Sequence, residues 1–98
     1  MSIVFARMGI PASGRLGEAA SYMGDRADAI KSNYGLDVGL NAGVGGPVGQ
    51  MALVSYLDDV AQLEEVRRKV IEDTADGKLP MPEPGLFKIA EDAIWLKL

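Results

Sequence analysis

The stretch 36–57 reads LDVGLNAGVGGPVGQMALVSYL and predicts a β-hairpin. Its first half alternates apolar residues with Asp, Gly and Asn, and its second half, residues 51–57, is apolar at nearly every position. Alternation with a period of two is typical of strands. The glycine-rich run 43–49 between the halves favours a turn. We therefore predict two antiparallel strands joined by a flexible glycine turn.

A helical pattern precedes the hairpin. Apolar residues recur every three or four positions over the range Leu16–Tyr34, and charged residues occupy the positions between them. This spacing is typical of an amphipathic helix with one buried stripe. Ser13 is the predicted N-cap and Gly35 the predicted stop.

A second helical pattern follows the hairpin. Asp59 with Gln62 three residues later resembles a capping box, which predicts a helix start at this point. The helix is expected to run to Asp73 and to end before Gly77. Its predicted buried stripe consists of Val60, Leu63, Val66, Val70 and Ile71.

The two ends of the chain complete the predicted fold. Residues 3–10 form a β-rich segment that ends at Pro11, residues 79–85 form a proline-rich linker, and residues 93–98 predict a last strand. A helical turn is expected within 86–92. The order β-α-β-β-α-β predicts a single α+β domain over residues 1–98, with its core in 3–76, and corresponds to the ferredoxin-like split βαβ motif.

This order leaves one face of the sheet uncovered. Right-handed crossovers place both helices on the same side of a four-stranded antiparallel sheet. The first strand is apolar on both faces, and hydrophobic residues other than glycine make up 48% of the chain. A large exposed apolar face indicates a partner, so we predict a homodimer and leave larger oligomers open. The alternative is that segment 81–92 folds over this face. The predicted interface residues are Ile3, Phe5, Met51 and Leu53.

Four stretches together carry a family resemblance. They are VFAR at 4–7 before Pro11, the helix that ends at Gly35, ALVSY at 52–56 after the glycine turn, and the Asp58-Asp59 start of the second helix. Over residues 3–76 the pattern resembles the dimeric α/β barrel superfamily, especially its small NIPSNAP-like and antibiotic-biosynthesis-monooxygenase-like members. The resemblance implies that two ferredoxin-like sheets meet and enclose an apolar cavity between them.

Composition excludes several classes of function. The net charge is −4, and no basic block is present, which argues against nucleic acid and anionic membranes as partners. The chain has no Cys and no His, which excludes disulfides, zinc–thiolate sites and Ser-His-Asp triads. The haem-dependent branches of the resembled superfamily use a proximal His, so no cofactor and no metal are expected. No secretory signal pattern is visible, and we predict a cytoplasmic protein.

Two further patterns are better explained structurally. A dinucleotide fingerprint needs a third glycine where Val48 stands and a helix where a strand is predicted, so the glycine run favours a hairpin over a phosphate site. The acidic residues of the second helix mostly lie on its outer face and are expected to pair with Arg67, Arg68 and Lys69. They are typical of a solvated helix face, which we favour over a cation site.

The candidate site consists of polar or aromatic residues on otherwise apolar strands. An apolar pocket with a few placed polar groups is the usual form of a small-molecule site, whereas the same residues also serve as hydrogen-bonding and aromatic groups at subunit interfaces. Both interpretations stay open. The candidate ligand-binding residues are Arg7, Asp37, Asn41, Tyr56 and Trp95.

Two functional hypotheses follow. The first is a homodimeric small-molecule binding or structural module whose ligand is a small apolar or aromatic compound. The second, implied by the resemblance, is a cofactor-independent monooxygenase or isomerase that acts on a small aromatic or enolisable substrate. Without His, its base would be Asp, Glu, Lys or Tyr. Asp37 is the acidic residue in the predicted strands, but the sequence identifies no catalytic residue.

Overall fold

The computed structural model describes residues 2–98 and has the predicted order of elements. Its four strands form one antiparallel sheet in the order β2-β3-β1-β4, and both helices pack on the same side of it. This is the ferredoxin-like α+β fold. The elements are β1 (Ile3–Pro11), α1 (Leu16–Tyr34), β2 (Asp37–Ala42), β3 (Met51–Leu57), α2 (Val60–Ala75) and β4 (Phe87–Leu96).

Strand register defines the two sides of the sheet. Phe5 pairs with Ser55 and Arg7 with Leu53, and these residues point to the side covered by α1 and α2, which we call the helix face. The alternate residues point to the other side, which we call the open face. Its apolar residues are Val4, Ala6, Met8 and Ile10 of β1, Ala52, Val54 and Tyr56 of β3, and Ile89, Ala93 and Trp95 of β4. Its polar residues include Asp37 and Asn41 of β2 and Glu91 of β4.

The predicted interface residues lie on the helix face, which corrects their assignment. Ile3, Met51 and Leu53 are buried in the core beneath the helices, and Phe5 packs against the same core. The assignment was wrong because β1 is apolar on both sides, so alternation alone does not distinguish them. Contact with the helices decides which side is which.

Helix α1 packs closely on the sheet. Ala19, Met23 and Ala27 form a buried cluster with Val38 and Leu53. The helix begins and ends as predicted, and Gly35 has a left-handed φ of 67° while its N–H donates to the Lys31 carbonyl at 3.0 Å. The N-cap differs from the prediction. It is Arg15 rather than Ser13, and its side chain makes no capping hydrogen bond.

Helix α2 packs loosely. Its start is as predicted, since the Asp59 carboxylate accepts a hydrogen bond from the Gln62 N–H at 2.8 Å. Only Leu63 of the predicted stripe is buried, whereas Val60 and Ile71 are exposed. The helix therefore contacts the core through Leu63 and Val66, and its later residues border a cavity.

The C-terminal segment also differs from the prediction. Strand β4 begins at Phe87 and not at residue 93, and no helical turn precedes it. The adjacent charges Glu91 and Asp92 interrupt the apolar alternation, but β4 is an edge strand, where charged residues are tolerated. Leu79 and Leu86 are buried, and the segment between them lies on the helix face, where Met81 and Pro82 border cavities. The alternative in which this segment covers the open face is therefore wrong.

The glycine run forms the predicted hairpin turn. The Gly43 N–H donates to the Gln50 carbonyl at 2.8 Å, and Gly46 and Gly49 have φ values of 78° and 80° that other residues rarely adopt. Within residues 2–98, neither helix has the length and apolar content needed to cross a bilayer.

Candidate functional site

A cavity of about 650 Å³ lies between the sheet and α2. Its floor is formed by β1 and β3, its roof by α2, and one side by Arg26 and Ile30 of α1. Most of its wall is aliphatic or aromatic. The polar residues that line it are Arg7, Arg26, Ser55, Arg67 and Thr74.

The cavity exists because small residues face each other across this part of the core. Ser55 stands on β3 between Leu53 and Leu57, and its side chain is too short to reach α2. Above it, the roof carries Val70 and Thr74, which are also short. Ser55 is only 8% exposed, and no hydrogen bond of its hydroxyl is found within residues 2–98. Its hydroxyl is thus available to a bound molecule.

A bidentate ion pair borders the cavity. Arg7 on β1 donates to its cross-strand neighbour Asp92 on β4, with Nε–Oδ1 at 2.8 Å and Nη2–Oδ2 at 3.0 Å. The hydrogen bond to Asp92 raises the pKa of Arg7. The same bond lowers the pKa of Asp92, and Arg67 adds to the effect. Both groups are therefore charged at neutral pH, and the geometry is the fork-to-carboxylate arrangement that holds an arginine in one orientation.

A second guanidinium approaches from α2. The Cζ of Arg67 lies 5.9 Å from the centroid of the Phe5 ring, and the Cζ of Arg7 lies 6.0 Å from the same centroid. Both distances are within the range of cation–π attraction. Within residues 2–98, no carboxylate forms an ion pair with Arg67.

Arg26 has a different role in the cavity wall. It is only 6% exposed, and its Nη1 donates to the Pro80 carbonyl at 2.8 Å. This bond ties α1 to the segment between α2 and β4. Met81, the next residue of that segment, lines the cavity. An ion pair between Arg15 and Glu83 holds the same segment further along.

A smaller cavity of about 400 Å³ adjoins the first. Both are bordered by Arg7, Arg26 and Thr74, so these side chains mark their junction. The smaller cavity is also lined by Tyr22, whose ring meets that of Phe87 edge to face at a centroid distance of 5.9 Å. The pair forms an aromatic wall at the β4 edge of the sheet.

The predicted site residues are divided between the two faces of the sheet. Arg7 borders both cavities. Tyr56 pairs with Asp37 on one side, and Val4 separates it from Trp95 on the other, so these residues lie on the open face. Asn41 is on the open face as well, at the β2 edge. The sheet separates these four residues from Arg7, and they form no common pocket with it.

Sequence reasoning missed Arg26, Ser55, Arg67 and Thr74. The spacing of each arginine from the apolar residues of its helix could have indicated its position. Arg26 is three residues after Met23 and four before Ile30, and Arg67 is four after Leu63 and three before Val70. Each arginine therefore lies beside the apolar stripe of its helix. Arg67 was grouped with its basic neighbours as solvated, which concealed its position.

No group of three or more acidic side chains that could hold a metal ion occurs within residues 2–98. The carboxylates of α2 that form ion pairs bind cations of the same helix. Glu65 lies 3.2 Å from Lys69 and Glu72 lies 3.1 Å from Arg68. This agrees with the interpretation of a solvated helix face.

Solved structures share this fold. A NIPSNAP family protein from Agrobacterium tumefaciens matches with a TM-score of 0.77 and 21% identity, over 100% of this chain and 94% of that one. An uncharacterized NIPSNAP domain protein from Burkholderia xenovorans matches with a TM-score of 0.78 and 14% identity, over 98% and 94%. A candidate antibiotic biosynthesis monooxygenase from Deinococcus radiodurans matches with a TM-score of 0.60 and 9% identity, over 99% and 92%.

These likenesses confirm the predicted resemblance at the level of the fold. They extend over the whole chain, including β4, whereas the sequence resemblance covered residues 3–76. No protein-family model and no curated protein matches the sequence.

Proposed function

We propose that this chain is a homodimeric binding protein that takes up a small, largely apolar molecule between its sheet and α2. The observation that carries the proposal is the cavity of about 650 Å³. Its volume lies within the usual range for small-molecule sites. Its wall is also typical of such sites, because it is mostly apolar with a few polar groups at defined places. The proposed site is therefore on the helix face, and not between two sheets as the resemblance implied.

The polar groups support binding more than catalysis. The polar side chains of the larger cavity are those of arginine, serine and threonine. None of these is a ready proton acceptor at neutral pH. Asp92 in the adjoining cavity is ionised, but its pairing with Arg7 lowers its pKa and weakens it as a base.

The alternative is a cofactor-independent monooxygenase or isomerase. It is favoured by the fold shared with the candidate monooxygenase from Deinococcus radiodurans. In this chain the base would have to come from the smaller cavity, which is lined by Tyr22, Glu91 and Asp92. Of the two carboxylates, Asp92 is the one on the helix face of β4. This alternative predicts that Asp92→Asn abolishes turnover of an enolisable aromatic substrate while leaving its binding intact.

Binding is tested with N-phenyl-1-naphthylamine, a neutral dye whose fluorescence rises in apolar surroundings. We expect saturable binding with one site per chain. Ser55→Leu fills the cavity from the floor and should weaken binding about tenfold, whereas Ser55→Ala keeps the space and should retain it. Val70→Phe fills the cavity from the roof and should act like Ser55→Leu. Non-saturable binding, or equal binding by all variants, would refute the proposed site.

The open face supports the homodimer. Tyr56, Ile89 and Trp95 expose 55%, 44% and 64% of their surface on it, among smaller apolar residues of β1 and β3. Exposed apolar residues grouped on one sheet face are rare on a monomer and mark an interaction site. The chain's own C-terminal segment lies on the other side of the sheet. A second copy presents the same apolar surface, so two-fold packing covers both faces at once.

Sedimentation at micromolar concentration tests the dimer. Val54→Asp places a carboxylate in the middle of the open face and should produce a monomer, because burying an unpaired charge is costly. Lys69→Gln on the outer face of α2 changes the net charge by the same amount and should leave the dimer intact. A wild-type monomer, or a dimer that survives Val54→Asp, would show that the open face is not the interface.

A further inference from the structure

The charged side chains that line the larger cavity are all arginines. Arg7, Arg26 and Arg67 border it, and no acidic residue is among its lining residues. The chain as a whole has a net charge of −4. The cavity thus has the opposite sign to the protein that contains it. This local excess of positive charge is what a site for an anion requires.

The three arginines differ in the groups that their guanidiniums contact. Arg7 is held by the Asp92 carboxylate through two hydrogen bonds, and Arg26 donates to the Pro80 carbonyl. Arg67 has no ion-pair partner within residues 2–98, and it stands over the Phe5 ring at the cavity wall. Its guanidinium is therefore the group that remains available to a ligand.

The cluster of Arg7, Arg67 and Asp92 around Phe5 has a net charge of +1. Arg7 and Arg67 both lie about 6 Å from the centre of the ring, and within residues 2–98 Asp92 is the one carboxylate that forms an ion pair with either of them. Arg67 contributes to lowering the pKa of Asp92, so its field reaches this carboxylate. One further anion next to Arg67 would make the cluster neutral. A planar guanidinium binds an oxyanion through two parallel hydrogen bonds, which fixes its position.

We propose that the ligand is an amphiphilic organic acid whose anionic group binds Arg67 and whose apolar body lies against Phe5, Leu53 and Val70. This inference rests on the proposed binding function and specifies its ligand class. The acid group stays at the edge of α2, where Arg67 is exposed to solvent. The apolar body fills the space above Ser55, and a neutral apolar compound of the same shape binds more weakly.

Two dyes with the same aromatic skeleton test the inference. 1-Anilinonaphthalene-8-sulfonate differs from N-phenyl-1-naphthylamine by one sulfonate. We expect the wild type to bind the anionic dye about tenfold more tightly than the neutral one. Raising the ionic strength from about 0.05 M to about 0.5 M should weaken only the anionic dye, because salt screens a partly exposed charge.

Substitution on α2 provides the matched control. Arg67→Gln should lower the affinity for the anionic dye about tenfold and leave that for the neutral dye within about twofold. Arg67→Lys keeps the charge and should restore part of the loss. Arg68→Gln removes an arginine next in sequence that pairs with Glu72 on the outer face, and it should change neither dye.

The outcomes separate this inference from the proposed function. If the neutral dye binds and Arg67→Gln leaves the anionic dye unaffected, the organic-acid ligand is wrong while the cavity site stands. An equal loss of both dyes in Arg67→Gln also overturns the inference, because it would reflect a structural change. If neither dye binds the wild type, the proposed function itself fails, and the ligand class with it.

Discussion

Helices α1 and α2 cover the same face of the sheet in different ways. Both show the spacing of an amphipathic helix, and both cross between two strands. Helix α1 buries Ala19, Met23, Arg26 and Ala27, whereas α2 buries Leu63 alone. The small alanines of α1 let its backbone approach the sheet. In α2, Val66 packs against the core, whereas Val70 and Thr74 line the cavity between this helix and the sheet.

The difference in packing between α1 and α2 indicates that the two halves of the core contribute differently to stability. The α1 half supplies the close packing that stabilises the fold, since tight contact between side chains is lost when the interior has voids. The α2 half is less closely packed and contains the cavity that we propose as the ligand site. Apolar side chains of α1 should therefore contribute more to stability than those of α2.

The largest expected effect lies in α1. Met23 is 2% exposed at the centre of the main cluster, so Met23→Ala should lower the free energy of unfolding by about 3 kcal/mol. Val70→Ala in α2 borders an existing cavity and should cost about 1 kcal/mol. Urea denaturation followed by circular dichroism, at equal protein concentration, measures both. Equal losses would mean that α2 is packed as tightly as α1.

Enlarging a side chain should change the free energy of unfolding in opposite directions in the two helices. Ala27→Leu in α1 has no space to enter and should destabilise the protein by about 2 kcal/mol through overpacking. Val70→Leu in α2 extends into the cavity and should stabilise it by about 0.5 kcal/mol. Thermal unfolding at a fixed concentration distinguishes them. Destabilisation by Val70→Leu would show that the cavity beside Val70 has no room for a larger side chain.

A smaller effect is expected where the two helices are joined. The Tyr34 hydroxyl on α1 donates to the Asp73 carboxylate on α2 at 2.6 Å. Burial, together with this hydrogen bond, raises the pKa of Tyr34 to about 12. Tyr34→Phe should cost about 1 kcal/mol at neutral pH.

The pH dependence of that effect has a definite sign. The pKa of Tyr34 is higher in the folded state than its ordinary value of 10.0, so its stabilisation is complete below pH 10. It is lost as the pH rises through about 12. The difference in unfolding free energy between wild type and Tyr34→Phe should therefore shrink across this interval. A difference that stays constant would show that the hydrogen bond does not contribute.

Local sequence patterns predicted the elements well where a single residue type controls the backbone. Gly35 ends α1 because a left-handed conformation is easily reached only by glycine, and Asp59 begins α2 because its carboxylate accepts a free helix N–H. The pattern failed at β4, where a helical turn was predicted within 86–92 and the strand includes the charged Asp92. It is accommodated there by Arg7, a residue 85 positions away in sequence.

The candidate site was predictable only in part for a related reason. Arg7 was identified because it is a charged residue in an apolar strand. Ser55 and Arg67 were not, because a cavity is a property of the distance between α2 and the sheet. The residues next to Ser55 and Arg67 in the sequence give no information about that distance.

The amino-acid sequence by itself determined the order of the elements, the helix ends and the glycine hairpin, since these depend on backbone preferences and on hydrophobic periodicity within a few residues. Only the tertiary structure decided which side of β1 faces the helices, and with it the separation of Arg7 from Tyr56 and Trp95. It also decided that Arg67 meets Phe5 across a cavity. The physical reason is that both sides of β1 are largely apolar, so contacts between residues distant in sequence determine its orientation.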